Sequence, residues 1–330
     1  MTVMLWSCAA LLTGFMLDRI FGDPHGFPHI ARLMGSLISA LEKFLRRLFP
    51  KTIRGETAAG ILLVCAVLLI CAGVPFAVLY LGYRLSIPLG YVLESFLCDQ
   101  MLAAKSLKTE SMKVYNSLHN GDLDGARKNV SMIVGRDTAA LGRDGVTRAA
   151  VETVAENASD GVAAPLLYIM LGGAALGCLY KAASTMDSMV GYQNEQYRHF
   201  GRAAAKTDDV LNFIPSRICA LLMIAGAYLL RLDGKNALRV WRRDRRNHAS
   251  PNSAQTESVC AGALDIRLAG PAPYFGVIHD KPYIGDDARP VRIEDIGDVN
   301  RLMYAASILM LILAVLFRAV ILGVIFLAAI

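Results

Sequence analysis

The stretch TAAGILLVCAVLLICAGVPFAVLYLGY, residues 57 to 83, carries no acidic or basic side chain. A bilayer core about 30 Å thick is crossed by about 20 helical residues. In hydrocarbon every backbone amide and carbonyl must be paired inside the segment, so a stretch this long and apolar reads as a membrane-spanning helix. Residues 3–21, 210–231 and 304–330 read as further spans, with weaker candidates at 85–104 and 161–180. Composition agrees: 55% hydrophobic and 19% charged residues, with a mean hydropathy of +0.42, exclude an ordinary soluble domain. The expectation is an all-α, multi-pass integral membrane protein with about four to six membrane segments. The whole chain, 1–330, reads as one membrane-embedded domain with polar regions at 105–160 and 232–303.

Topology follows from the basic residues. Residues 3–21 are read as a retained span, because a basic start is missing and Asp18 and Arg19 stand where a small-residue cleavage site would be. Arg32, Lys43, Arg46, Arg47, Lys51 and Arg54 mark 22–56 as cytoplasmic. Two crossings then return the chain to a basic stretch, 105–160, that reads as helices parted by HNGD at 119–122. Simple alternation puts 181–209 outside, whereas its Lys181, Arg198, Arg202 and Lys206 argue for inside. Pro165 with Gly172, Gly173 and Gly177 therefore points to a broken or re-entrant pair, 161–180 with 210–231, reaching a cytoplasm-facing cavity. The seven cysteines form no CxxC pair and sit mostly in apolar stretches, as small hydrophobic residues do. The net charge of +6 is accounted for by loops beside spans, so no nucleic-acid partner is implied.

Polar chemistry gathers in four places. AVETVAENASDGVAAPLLYIM, 150–170, sets Glu152, Glu156 and Asp160 at i, i+4 and i+8, so on a helix three like charges share one face. Arg148 as an ion-pair partner, an ordinary helix end at Gly161, or a divalent cation would each relieve the repulsion, and the residues alone leave these open. The run 184–217 is dense in groups suited to phosphate and metal: Asp187, Glu195, Arg198, Arg202, Lys206, Asp209, Asn212 and Arg217. NHASPNSAQTESVCAGAL, 247–264, offers His248, Ser250, Asn252 and Glu257 at a turn. LDRIFGDPHGFPHIARLMG, 17–35, offers Asp18, Asp23, His25, His29 and Arg32. No P-loop, GxGxxG, HExxH or GxSxG template is present.

Taken in order, DRIFGDPHGFPHIARLMG, VETVAENASDGVAAPLLY, YKAASTMDSMVGYQNEQYRHFGRAAAKTDDVLNFIPSR, HASPNSAQTESVCAGAL and the late YFGV and IGD resemble the CobD/CbiB family of adenosylcobinamide-phosphate synthases. The resemblance runs from residue 17 to about residue 300. It departs only where PHIARLMG lacks a second proline after the histidine and where HASPN stands for HPSPN.

The resemblance implies a cobalamin biosynthesis enzyme, a carbon–nitrogen ligase. It would join (R)-1-aminopropan-2-ol or its O-phosphate to adenosylcobyric acid, with ATP as co-substrate and Mg²⁺. It further implies a cell-membrane location with the site on the cytoplasmic side, and other membrane-bound late cobalamin enzymes as partners. On that reading Glu152, Glu156, Asp160 and Asp187 hold metal, while Arg198, Arg202, Lys206 and Arg217 hold phosphates. Asn157, Asn194, Asn212 and His248 orient substrates, Asn252 joins Asn212 among the cofactor contacts, and Glu195 or Asp209 takes the amine proton. Two other classes compete with it, and a noncatalytic scaffold for a membrane-bound biosynthetic complex, which the polar clusters weaken, is a third. A transporter also buries acids in broken helices, but carries fewer polar motifs in its loops. A membrane CDP-alcohol phosphotransferase has a DGxxAR signature that SDGVAAP only begins, since Pro165 stands at the arginine position.

Overall fold

The computed structural model describes residues 2–23, 29–274 and 277–328, with side chains throughout except at 272–274, 277–279 and 328. His25 and the Phe275–Gly276 pair of the quoted motifs lie outside the described residues. The chain gathers into two compact units, each built from separated stretches of sequence.

The first unit comprises residues 1–103, 164–212 and 311–330. It holds α1 (Thr2–Ile20), α2 (Ile30–Leu48), α3 (Ile53–Leu85), α4 (Ile87–Met101), α8 (Ala164–Val190), α9 (Arg202–Leu211) and the end of α13 (Asp295–Ala328). Thr52 starts α3 by accepting the Gly55 amide on its side chain at 3.1 Å. Leu69, Phe76 and Leu85 stand exposed along α3, an apolar surface suited to lipid. Segment 85–104 forms α4, whose 15 residues reach about 22 Å, short of the hydrocarbon thickness. Ser86 caps α4, and the helix packs along α1. Helix α8 extends to Val190, well past the apolar run, because nothing between Ala174 and Val190 stops it except polarity. It breaks at Gly172 and Gly173, the latter at φ +70°, where only glycine sits without strain.

The second unit comprises residues 104–163 and 213–310. It holds α5 (Ala104–His119), α6 (Leu123–Ser131), α7 (Arg143–Asn157), a π-helical stretch (Ala158–Ala163), α10 (Phe213–Leu229), α11 (Gly234–Asp244) and α12 (Ser253–Leu264). The HNGD turn separates α5 from α6, with Asp122 capping α6 through the Gly125 amide at 2.8 Å. All twelve residues of α12 are buried, and its small side chains let neighbouring backbones close in. A Cβ on Gly262 would stand 2.7 Å from the Ala237 Cα of α11. Two short antiparallel pairs follow: β1 (Leu268–Ala269) with β4 (Tyr283–Ile284), and β2 (Ala272–Tyr274) with β3 (Val277–His279).

Among the described residues four helical runs are long and apolar enough to cross a membrane: Thr2–Ile20, Ile53–Leu85, Arg143–Val190 and Asp295–Leu327. A fifth appears if α9 and α10 make one span. The protein is helical and, by these runs, multi-pass in a membrane.

Candidate functional site

Helix α7 buries Val146, Ala150, Val151 and Val154 against its own unit, which leaves Glu152 and Glu156 together on the opposite face. They line a cavity of about 100 Å³ with Arg136, Thr153, His248, Glu257, Ala269 and Lys281. Glu152 accepts from Arg136 Nη2 at 2.6 Å through Oε2 and from the Ala269 amide at 2.7 Å through Oε1. The repulsion noted in the sequence is thus relieved by Arg136, not by Arg148. Nor does the helix end at Gly161: Ala158–Ala163 is a π-helical stretch, a local widening often found beside functional sites. Ala269 has φ +57° and Gly270 φ +84°, so the cavity wall carries backbone strain at a non-glycine residue.

The loop ahead of α12 supplies the other wall. His248 Nδ1 accepts the Ser250 amide at 3.1 Å, which leaves the proton of the neutral ring on Nε2. Burial lowers the His248 pKa below its ordinary value, and the Glu156 charge only partly opposes this. Ser253, the first residue of α12, donates to Glu156 Oε1 at 2.7 Å. One turn on, Glu257 is held well above the usual carboxylate range, first by burial and then by the Glu156 and Glu152 charges, against the pull of Lys281 and Arg136. Beside Glu257 and His248, the acids Glu152 and Glu156 share the cavity with two basic residues, Arg136 and Lys281.

The remaining expected residues fall in several places. Asn157 donates to the Thr153 carbonyl at 2.9 Å, and neither Asn157 nor Asp160 lines the cavity. Asn252 lies on the same loop as His248, just ahead of α12, and Arg217 reaches it from the first turns of α10. Arg217 Nη1 donates to Asn252 Oδ1 at 3.1 Å and Nη2 to the Pro251 carbonyl at 3.2 Å, and its guanidinium lies 3.5 Å over the Phe213 ring. These partners are neutral oxygens, while Arg245 and Arg246 add positive field. Asp187, Glu195, Arg198, Arg202, Lys206, Asp209 and Asn212 belong to the first unit. There Arg198, Arg202 and Lys206 are exposed at intervals of four, Glu195 is exposed on a turn, and Asp209 pairs with Lys206 at 3.2 Å. Asn212 is buried at the end of α9, its amide donating to the Asp208 carbonyl. His29 caps α2 and meets Asp23 at 2.9 Å, a local structural use of the amino-terminal cluster.

Among the described residues no group of three or more His, Cys, Asp or Glu side chains is placed to hold a metal ion. Glu152 is already committed to Arg136 and Ala269. That leaves Glu156 as the carboxylate suited to an ion carried in on substrate phosphates, the usual mode for Mg²⁺.

Arg136 and Lys281 are not among the residues the sequence offers, and Glu257 is offered in the 247–264 run without a role. Glu257 did leave a signal, a lone acid in a helix of small residues, SAQTESVCAGAL. Arg136 and Lys281 lie in loops whose sequence marks no site.

Residues 11–303 match the family model described as CobD/Cbib protein. The chain is 48% identical to the cobalamin biosynthesis protein CobD of Geobacter metallireducens, over 93% of this chain and 95% of the relative. It is 42% identical to the CobD protein of Clostridium perfringens, over 94% and 98%. It is 43% identical to the cobalamin biosynthesis protein CbiB of Salmonella typhimurium, over 98% of this chain and the full length of that protein. No solved structure matches the chain. Its length, motif order and identity to these relatives make it a member of the CobD/CbiB family.

Proposed function

We propose that this chain is a cobalamin biosynthesis enzyme that forms the amide between adenosylcobyric acid and (R)-1-aminopropan-2-ol or its O-phosphate, using ATP and Mg²⁺. The observation that carries the reading onto residues is the cavity of Glu152, Glu156, Glu257 and His248 with Arg136 and Lys281. At about 100 Å³ it admits a group the size of the amino alcohol, and the corrin ring and nucleotide must approach from outside it.

A free carboxylate is a poor acyl donor. Transfer of the terminal ATP phosphoryl group to it gives an acyl phosphate and ADP; attack by the amine nitrogen on the acyl carbon then forms the amide and expels phosphate. The amine arrives as an ammonium and must lose a proton before it attacks. Glu156 takes that role, since it lines the cavity and, unlike Glu152, is not committed to Arg136. Glu195 and Asp209 lie on an exposed turn and in an ion pair respectively. His248, with its proton on Nε2, donates to a hydroxyl or phosphate oxygen and orients the amino alcohol. Lys281 and Arg136 stabilise the developing negative charge. Arg217, braced by Asn252 and Pro251, is the group best supported as a phosphate contact. Glu156 would be the carboxylate that holds Mg²⁺ while the ion neutralises the nucleotide phosphates, and it would be free to take the amine proton once ADP has carried the ion away. The basic stretch RVWRRDRRNH in this unit argues for the cytoplasmic side of the cell membrane.

The test incubates purified protein with adenosylcobyric acid, aminopropanol phosphate, ATP and Mg²⁺ and scores the amide by mass spectrometry. Glu156→Gln is expected to lose about 10²- to 10⁴-fold in turnover while keeping the wild-type unfolding midpoint. Absence of product from the wild type, under conditions where the Salmonella relative forms it, would overturn the reading.

A further inference from the structure

A second and larger cavity, about 590 Å³, opens among α1, α3, α4, α8 and the end of α13, all within the first unit. Its volume falls in the range of small-molecule sites, about 300–1,000 Å³. The walls are apolar, with Phe76, Leu79, Met170 and Ile321 among them. Val3, Phe76 and Leu171 are exposed at its edge. On spans of this apolar character, such an edge meets acyl chains.

The floor is polar and fully paired. Glu94 accepts from the Ser7 and Tyr83 hydroxyls at 2.7 Å each and from the Ala174 amide at 3.4 Å. Arg318 donates to the Met170 carbonyl at 3.0 Å, to the Ile169 carbonyl and to Ser7 Oγ at 2.9 Å. These bonds take up groups on either side of the Gly172–Gly173 break. Irregular backbone at membrane depth persists only where protein covers it or a cavity adjoins it. Were the break there for packing alone, the space beside it would be filled, because protein interiors leave few voids larger than a water.

Charge selects the occupant. Glu94 and Arg318 offset each other through Ser7, and the third charged residue lining the cavity is Arg84, exposed in the last turn of α3. Thirty residues of helix, about 45 Å, separate Arg84 from Arg54 at the basic end. Arg84 therefore stands at headgroup depth, beside Tyr80 and Tyr83, as interfacial aromatics do. A slot that runs from an interfacial cation into an apolar interior matches one bilayer lipid with a negative head.

We propose that this cavity binds one anionic phospholipid, its phosphate on Arg84 and an acyl chain along Phe76, Leu79, Met170 and Ile321. The full-length protein in phosphatidylcholine vesicles is given a trace of phosphatidylglycerol bearing a diazirine in its chain, irradiated, and mapped by peptide mass spectrometry. Labels are expected several-fold enriched at residues 76–83 and 170–175 over the exposed stretch around Leu62 and Leu69. Excess unlabelled phosphatidylglycerol removes the enrichment, and excess phosphatidylcholine does not. Arg84→Gln and the cavity-filling Ala175→Leu each reduce it several-fold. Uniform labelling of α3, or equal competition by the two lipids, would overturn the proposal. The wild-type competition decides the question even where a variant unfolds.

Discussion

Glu94 in the first unit and Glu257 in the second are both almost wholly enclosed, at 3% and 5% exposure. Their surroundings differ. Glu94 accepts three hydrogen bonds and has the Arg318 guanidinium one hydroxyl away, so its charge is compensated. Glu257 faces Glu156 and Glu152, and burial with two like charges holds its pKa well above the usual carboxylate range. A compensated buried acid is a strut: it holds a broken helix together. An acid left among like charges costs stability, and such arrangements concentrate where chemistry needs a proton held or moved.

The comparison breaks most visibly at Glu94. Glu94→Leu leaves Arg318 buried without its counter-charge and strands the Ala174 amide, a change expected to cost about 3–5 kcal/mol. The double variant Glu94→Leu/Arg318→Leu should recover part of that loss. Denaturant or thermal unfolding in detergent reads both. A single variant as stable as the wild type would remove the distinction between strut and site, since Glu156→Gln in the polar cavity is expected to leave stability nearly untouched.

Gly173→Ala probes the same strut from the backbone side, with a smaller effect. Its φ of +70° disfavours any side chain, and a Cβ would stand 2.8 Å from Glu94 Oε1. A loss of about 1–3 kcal/mol is expected, read by the same unfolding curves. No loss would mean that the helix re-forms through residue 173 and that the break is not built in.

The sequence carried the strut and the site unequally. The apolar runs fall largely inside α1, α3 and α13, because twenty uncharged residues leave the backbone one solution in hydrocarbon, but the polar start of α13 at Asp295 lies ahead of the run at 304. The Gly172–Gly173 break was legible from the glycines themselves. The reach of α8 to Val190 was not, since the apolar run ends at 180 and the polar residues after it carry no signal that separates helix from loop. Glu152, Glu156 and His248 were legible from their motifs. Glu257 was visible in the 247–264 run but its burial was not, and Arg136 and Lys281 were hidden, because the cavity is assembled from α7, α12 and two loops whose proximity no local period encodes. Glu94 and Arg318 were hidden for a related reason: each is one charge in an apolar segment, and only the fold brings them to the same broken helix.

The smallest effect tests the proton on Glu257. Between its ordinary value of 4.5 and its raised folded value, the native state holds one proton more than the unfolded chain. Stability therefore falls as pH rises through that window, by at most about 1.4 kcal/mol per pH unit. His248 acts in the opposite sense: its folded value is lowered from 6.5, so between that value and 6.5 the unfolded chain holds the extra proton and stability rises with pH. Below pH 6.5 the two slopes oppose each other, and above it only the Glu257 slope remains of the pair. Glu257→Gln replaces the protonated acid by a neutral group of similar shape. Unfolding midpoints followed upward from pH 6.5 should decline in the wild type while the raised Glu257 window lasts and hold nearly level in the variant, so the difference between the two changes with pH. A gap that stays constant would mean that Glu257 is already ionised at neutral pH, and that the cavity is as fully compensated as the Glu94 network.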